Sequence, residues 1–360
     1  MRQYSVEFFD RAFNLICHTN AEIEEYAEDY LSPVTNEVTV LNCDVSKGNF
    51  IRIKNNQNEY FGIITAIESQ TEKIMTISYG SVLRLFDTDI LFDTDLQGGN
   101  VSLEQTISNI INRMFVNNTD SNMNIAGLSV TTSGSTNNWG FNLKSDTEGM
   151  HHCIINFYNV IVARSLEKYG VVIRVVPNVQ QKSIQLIIGK ATDDIVKIES
   201  DLQNVIEKNI IIKETSNDVN KLVVYNTENY TSARVYYLHP NGTYDMINSN
   251  RIIPVVQEIK GTAPEMEGDT VKKTFAQMAD SEAAEVFGSI EYNNLIELVV
   301  LNDDTLVKPY ELEIGQAVDV YSKGKIYRSI LTARTVAKQT TLTFGTIRID
   351  LTKILKRRYS

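Results

Sequence analysis

The residues able to do chemistry are few and scattered. Four carboxylates fall in a doubled Phe-Asp-Thr-Asp stretch, Asp87 with Asp89 and then Asp93 with Asp95. Several oxygen ligands at close spacing are what a calcium ion takes. The glycine that turns a calcium loop and the glutamate that closes it are both missing here, so the stretch reads as acidic strand ends or a solvated turn. His151, His152 and Cys153 form the second cluster. They head an apolar segment expected to be helical, where adjacent side chains point in different directions and do not converge on one ion unaided. The chain holds 4 histidines, the other two being His18 and His239, which argues against zinc ligation and against Ser–His or Cys–His nucleophiles. Cys17, Cys43 and Cys153 lie far apart, as reduced and mostly buried thiols do, with no sign of a disulfide framework. No catalytic, cofactor-binding or metal-ligating residue is assigned. The expectation is a protein that is not an enzyme and uses no cofactor.

What the chain does carry is a pattern written twice. Gly48, Ile51, Ile53, Tyr60, Ile63, Ile64, Thr65, Ala66, Met75, Thr76 and Ile77 return as Gly315, Val318, Val320, Tyr327, Ile330, Leu331, Thr332, Ala333, Leu342, Thr343 and Phe344. The offset is a constant 267 (315 − 48), with no gap, and every pair is identical or an apolar swap. In each copy an alternating strand passes through a polar turn into a second strand and then a third, the signature of a small antiparallel sheet. Upstream, Val40-Leu41-Asn42 answers Val300-Leu301-Asn302 at an offset of 260 (300 − 40), so the loop that follows is longer by 7 (267 − 260) in the second copy.

Bulk composition fits a folded chain of two to four domains: 360 residues, 42% hydrophobic and 22% charged. No apolar run reaches the length of a membrane span; Leu295 to Leu301 is broken by Glu297. The first residues enter a strand pattern directly and lack the apolar core of a signal peptide, so synthesis and folding inside a cell are expected. A net charge of −11 argues against a surface that grips nucleic acid, and suits one that DNA must not stick to.

In order, a hairpin is expected over Asp10-Arg11-Ala12, then a polar, acidic connection from Ala21 to Thr35, a strand Glu37 to Asn42, and the first repeat. About six strands before residue 85 suffice to close a small barrel. Gln97-Gly98-Gly99-Asn100 marks a boundary. Beyond it come a helix capped by Ser102 and Gln105 with the stripe Leu103, Ile107, Ile110, Ile111 and Met114, a strand Ala126 to Thr131, and an apolar helix His151 to Tyr169 stopped by Gly170. Strands Val171 to Val176 and Ser183 to Ile188 complete an α+β unit. Strands at Ile210 and Leu222 are candidates to open the second barrel. A hairpin over Asn241-Gly242, a strand Ile252 to Ile259, a linker Gly261 to Asp269 and a helix Thr270 to Phe287 then precede the second repeat.

Two similar barrels around an α+β unit, the run Asp218-Val219-Asn220-Lys221-Leu222-Val223-Val224-Tyr225-Asn226 followed by Tyr236-Tyr237-Leu238, and the closing Leu342-Thr343-Phe344-Gly345 with Asp350-Leu351-Thr352-Lys353-Ile354-Leu355 resemble the central hub proteins of bacteriophage tail tips and baseplates. The resemblance implies an α+β fold with two homologous, tail-tube-like antiparallel barrels: 1–98 for the first, 206–229 with 289–350 for a discontinuous second, 99–205 for the α+β domain, 230–288 for an inserted region and 351–360 for a basic tail. It also implies a homotrimer whose six barrels adapt a hexameric tail-tube ring to a threefold tip. Partners would be the tube ring, distal tail or baseplate proteins, and a separate spike, fibre or lysin below, since the chain ends soon after the second barrel. DNA would pass through the channel without specific binding. Assembly would take place in the host bacterial cytoplasm, and the location would be the virion tail. Two other readings stay open: a glycan- or receptor-binding tail protein, given 17 tyrosines, and a tail-associated peptidoglycan hydrolase, which would need a positioned carboxylate pair or zinc.

Overall fold

The computed structural model describes residues 2–41, 43–56, 58–69, 73–93, 101–137, 139, 152–191, 195–212, 219–239, 244–248, 255–287, 292 and 294–346. Asp95, the Gly98-Gly99 boundary, His151, the Asn241-Gly242 turn, the 252–254 part of an expected strand and the basic tail lie outside them.

The chain opens with β1 (Arg2–Phe9), β2 (Leu15–Ile23), β3 (Tyr26–Asp29), β4 (Asn36–Leu41), β5 (Phe50–Lys54), β6 (Glu59–Ser69) and β7 (Ile74–Ser81). Six of them form one antiparallel sheet in the order β2-β1-β5-β6-β7-β4. Period-2 alternation decides which face turns inward: Asn36, Val38 and Val40 are buried on β4 while Glu37, Thr39 and Leu41 are exposed. The sheet rolls into a nearly closed barrel around Tyr4, Val6, Ile23, Ile53, Tyr60 and Ile77. At the β1–β2 turn, the Asp10 carboxylate accepts from the main-chain N–H groups of Ala12 and Asn14, each at 2.8 Å. Two expectations change here. Part of the acidic connection is a strand, β3. Cys17 and Cys43, read as separate thiols, are joined by a disulfide, because rolling the sheet brings β2 beside the end of β4, a proximity that a separation of 26 residues does not reveal.

A 3₁₀ turn (Val82–Phe86) leads to β8 (Asp89–Asp93). Helix α1 (Leu103–Ile111) starts where Ser102 Oγ accepts from Gln105 N at 3.2 Å, and buries Leu103, Ile107, Ile110 and Ile111 as the stripe predicts. It runs on into a π-turn (Asn112–Val116). Next come β9 (Leu128–Ser133), β10 (His152–Asn156), a second π-turn (Tyr158–Val162), α2 (Ala163–Tyr169), β11 (Val171–Asn178) and β12 (Ser183–Lys190). The expected helix from His151 is thus a strand for its first part, because Ile154 and Ile155 pair with Leu91 and Ile90 of β8 and the ladder satisfies their backbone. Gly170, at φ +65°, ends α2. A three-stranded sheet, β11-β12-β9, packs with α1 and α2 around Ile107, Ile161, Leu166, Val171, Leu186 and Ile188.

The last part holds β13 (Val196–Glu199), β14 (Val205–Ile212), β15 (Lys221–Asn226), β16 (Ala233–Leu238), β17 (Tyr244–Asp245), β18 (Gln257–Thr262), β19 (Glu265–Glu267), β20 (Thr270–Lys273), α3 (Phe275–Phe287), β21 (Asn294–Val300), β22 (Ala317–Ser322), β23 (Lys325–Val336) and β24 (Thr340–Phe344). The second barrel-like sheet runs β13-β22-β23-β24-β21-β14, with β3 added beside β23. Of the two candidate opening strands, that at Ile210 does pair with β21. The one at Leu222 instead joins a four-stranded sheet, β17-β16-β15-β18, whose inner residues Leu222, Val224, Tyr236 and Leu238 pack on Ala279, Ala283 and Phe287 of α3. The expected linker and the first turn of the expected helix form the β19–β20 hairpin. The whole is α+β, with a nearly closed antiparallel barrel, a related half-barrel sheet, and helical and inserted parts beside them.

Candidate functional site: the paired barrels and their junction

The duplication holds at the level of hydrogen bonds. In the first copy Ile51 pairs with Gly62 and Ile53 with Tyr60; in the second Val318 pairs with Ser329 and Val320 with Tyr327, the same positions plus 267. Gly48 N donates to Ile64 O at 2.9 Å, and Gly315 N to Leu331 O at 2.7 Å. Both glycines have left-handed backbone, at φ +86° and +90°, which a residue without Cβ adopts at little cost. Each long strand bulges at one matching threonine, Thr65 or Thr332. Thr65 Oγ1 donates to Ser78 O at 3.1 Å, and Thr332 Oγ1 lies 3.2 Å from Thr343 O and 2.8 Å from Gly345 O. A bulge leaves a residue out of the ladder, and here its own hydroxyl ties it back.

The third strand departs from the gapless match. Ser69 faces Met75 across the first hairpin, whereas Val336 faces Thr340 across the second. The offset there is 265 (340 − 75), so Tyr79 corresponds to Phe344 and Gly80 to Gly345, and the second hairpin loop is two residues shorter. The upstream offset of 260 stands, since Val40 pairs with Met75 and Val300 with Thr340.

The copies differ in what closes their edges. β1 runs antiparallel to β5, while β13, in the corresponding place, runs parallel to β22. The chain reaches the second sheet from β12 and not from its own hairpin, so the flanking strand arrives in the opposite sense.

β3 joins the two barrels. Tyr26 packs inside the first, with Tyr4, Tyr60 and Val336, while the β3 backbone ladders onto β23 of the second, Glu28 opposite Arg334. Arg334 Nη2 meets Glu28 Oε2 at 2.5 Å, and its Nη1 donates to Pro309 O and Leu312 O, both at 3.1 Å. Burial alone would lower the Arg334 pKa, but the Glu28 carboxylate holds it above its usual value. The next residue ties in the α+β part. Tyr30, 1% exposed, donates its N–H to Thr332 O at 2.8 Å; its carbonyl accepts from Tyr158 Oη at 2.5 Å and its hydroxyl from Ile173 N at 2.8 Å. A cleft of about 310 Å³ opens here, with Asp29, Phe61, Arg174, Tyr310 and Arg334 on its wall. Of the four carboxylates on its wall, Glu28 and Asp29 are held by Arg334 and Leu31 N, Glu59 lies 4.0 Å from Arg52, and Glu313 is the fourth. The arrangement is suited to fixing one barrel against the other.

The residues singled out for chemistry stay dispersed. Asp87 is held by Arg84 at 3.0 Å and by Asn156 Nδ2 at 3.1 Å, while Asp89 and Asp93 lie on β8. His152 and Cys153 lie on β10 and their side chains fall outside the described residues. His18 contacts Ser5 Oγ, and His239 contacts Asp245, each at 2.9 Å. Among the described residues no three His, Cys, Asp or Glu side chains gather as a metal site would need, and no helix is long and apolar enough to cross a membrane. Sequence reasoning missed Glu28, Tyr30 and Arg334. The only signal was the offset that makes Arg334 the counterpart of Ile67, a charge where the first copy has an apolar residue.

Solved structures of similar fold align with nearly the full length of the chain. A 43 kDa tail protein of prophage MuSo2 from Shewanella oneidensis matches with a TM-score of 0.50 at 12% identity, over 96% of this chain and 98% of that one. The chain has the fold of a phage tail protein. Prophage tail protein gp18 from Listeria monocytogenes EGD-e aligns over 98% of this chain and 97% of its own, at 12% identity and a TM-score of 0.49. A chain of the phage P2 baseplate in its activated conformation aligns over 97% and 100%, at 12% identity and a TM-score of 0.45. No protein-family model matches the chain, and no curated protein sequence does.

Proposed function

We propose that this protein is the structural hub of a phage tail tip or baseplate, a homotrimer whose six barrels form a ring beneath the tail tube. The observation that carries the reading is the register-level duplication: the same ladder, glycine and bulge recur at an offset of 267 in one chain. A sixfold ring meets a threefold tip without mismatch when each of three subunits supplies two equivalent modules. The hydrogen-bonded junction at Glu28, Tyr30 and Arg334 supports it further, because a ring needs its two modules at a fixed angle within each subunit.

In this reading the two barrel sheets line the ring: β1, β2 and β4–β7 of the first, and β13, β14 and β21–β24 of the second, which takes in β13 from the expected 99–205 domain and gives up β15 of the expected 206–229 stretch to the inserted sheet. The α+β part up to β12 and the inserted β15–β18 sheet with α3 face distal tail proteins, with a spike, fibre or lysin as a separate partner. The net charge of −11 disfavours phosphate binding and lets DNA pass through the channel unheld. The role is architectural, with no chemistry assigned to it, and the protein is placed in the virion tail after assembly in the host cytoplasm. Light scattering on the purified chain, alone and with a tail-tube protein, tests the proposal: three chain masses support it. A monomer at every concentration, unchanged by the tube protein, overturns it and moves a glycan-binding role to the front.

A further inference from the structure

The two sheets differ at their outer strands. In the second, β21 is laddered to β14 from Ile212↔Asn294 to Val205↔Val300, and just past these strands Asn204 Nδ2 donates to Asp304 Oδ2 at 3.0 Å. In the first, β2 and β4 are the outermost strands and, among the described residues, no ladder joins them, although both line one core through Ala21, Ile23, Val38 and Val40. The Cys17–Cys43 bond spans this unladdered seam. Cys17 is the third residue of β2, Cys43 follows the end of β4, and their Cα atoms are 6.2 Å apart. The Cys43 main-chain N–H also donates to Met75 Sδ of β7 at 3.3 Å, which seats the residue against the barrel.

We propose that Cys17–Cys43 is a covalent lock on the seam of the first barrel, tying β4 to β2 on the side where β21, the counterpart of β4, instead carries the laddered strand β14. Its formation needs a small-molecule disulfide, RSSR. The thiolate of one cysteine attacks RSSR, forming a mixed disulfide and releasing one RS⁻. The second thiolate then displaces the remaining RS⁻, so the S–S bond forms, the two electrons pass to RSSR, and the two protons end on two RSH. Both cysteines are partly exposed, within reach of such a reagent. With thiols, packing alone holds the seam, and β2 and β4 open locally; with the bond formed, they do not. The proposal concerns one barrel within one chain and stands independently of the trimer.

The test uses the full chain after incubation with oxidised glutathione or with dithiothreitol. Alkylation under denaturing conditions should label one of the 3 cysteines in the oxidised sample and all of them in the reduced one. Hydrogen exchange read by mass spectrometry should then show β2 and β4 amides exchanging about tenfold faster on reduction, with β14 and β21 unchanged. The C17S/C43S variant should match the reduced chain under both conditions, and C153S should respond like the parent. Full labelling after oxidation, a bond whose reduction leaves β2 and β4 exchange unaltered, or a C17S/C43S variant that still responds to glutathione would each overturn the proposal.

Discussion

Glu28 and Arg334 face each other across the β3–β23 ladder with their charges 2.5 Å apart, at the point where a strand of one barrel becomes part of the other's sheet. The two residues are 306 apart in sequence, so the contact is made only when both barrels are in place.

Breaking this pair should therefore be costly. Arg334→Met leaves the Glu28 carboxylate without its cation and two carbonyls without their donor, for a loss of about 3–5 kcal/mol. Glu28→Gln should cost less, and the double variant less than the sum of the two, because removing both charges avoids leaving one buried and alone. Chemical denaturation of the four proteins measures the cycle; strict additivity would mean that the pair does not couple the barrels.

Tyr30→Phe removes the acceptor of the Ile173 N–H and changes little else. A loss of about 1–3 kcal/mol is expected, the cost of one unpaired buried donor. Because Ile173 belongs to the α+β part, hydrogen exchange should rise in β11 before it rises in either barrel.

The matching bulges allow a paired test. Thr332 is fully buried with two carbonyls near its hydroxyl, and Thr65 is half-buried with one. Thr332→Val should cost about 1–3 kcal/mol and Thr65→Val less, read as shifts in denaturation midpoint at unchanged slope. Gly345→Ala should be worse than either, since a Cβ at φ +88° would run into Asn294 O.

Asp201 ties the β22–β23 turn: its carboxylate pairs with Lys208 and accepts from Lys323 N and Ser322 Oγ. These contacts pull its pKa from 3.8 down to about 2, the Lys208 hydrogen bond foremost. A depressed folded value stabilises above the unfolded one, so the contribution is whole above about pH 4 and is lost as the pH falls towards 2. In Asp201→Asn the turn amides should show no such loss over that window, as followed by NMR.

How much of this was legible in the sequence depends on what each residue constrains. Gly48 and Gly315, Thr65 and Thr332, and the alternating aliphatics fix backbone and facing directly, so the duplicated sheet is legible in the residues alone. The two-residue shortening of the second hairpin was not legible, because a slip of two keeps every side chain on its own face. β3 was missed since Tyr26–Asp29 holds four residues, two of them acidic, and becomes a strand only because Ala333–Val336 offers it a ladder. Likewise, Ile154 and Ile155 suit a helix as well as a strand until β8 is placed beside them. The junction was invisible for a related reason: Glu28, Tyr30 and Arg334 act only together, and nothing in their spacing joins them.

If one duplicated chain makes a ring of six barrels from three copies, the ring should be visible directly. Electron-microscopy class averages of the assembled species, alone or bound to a tube ring, would show it. The expected image is a threefold ring with a central opening and six similar lobes alternating between two slightly different forms. A ring of another symmetry, or three subunits joined through the α+β domains with their barrels splayed apart, would contradict the hub reading.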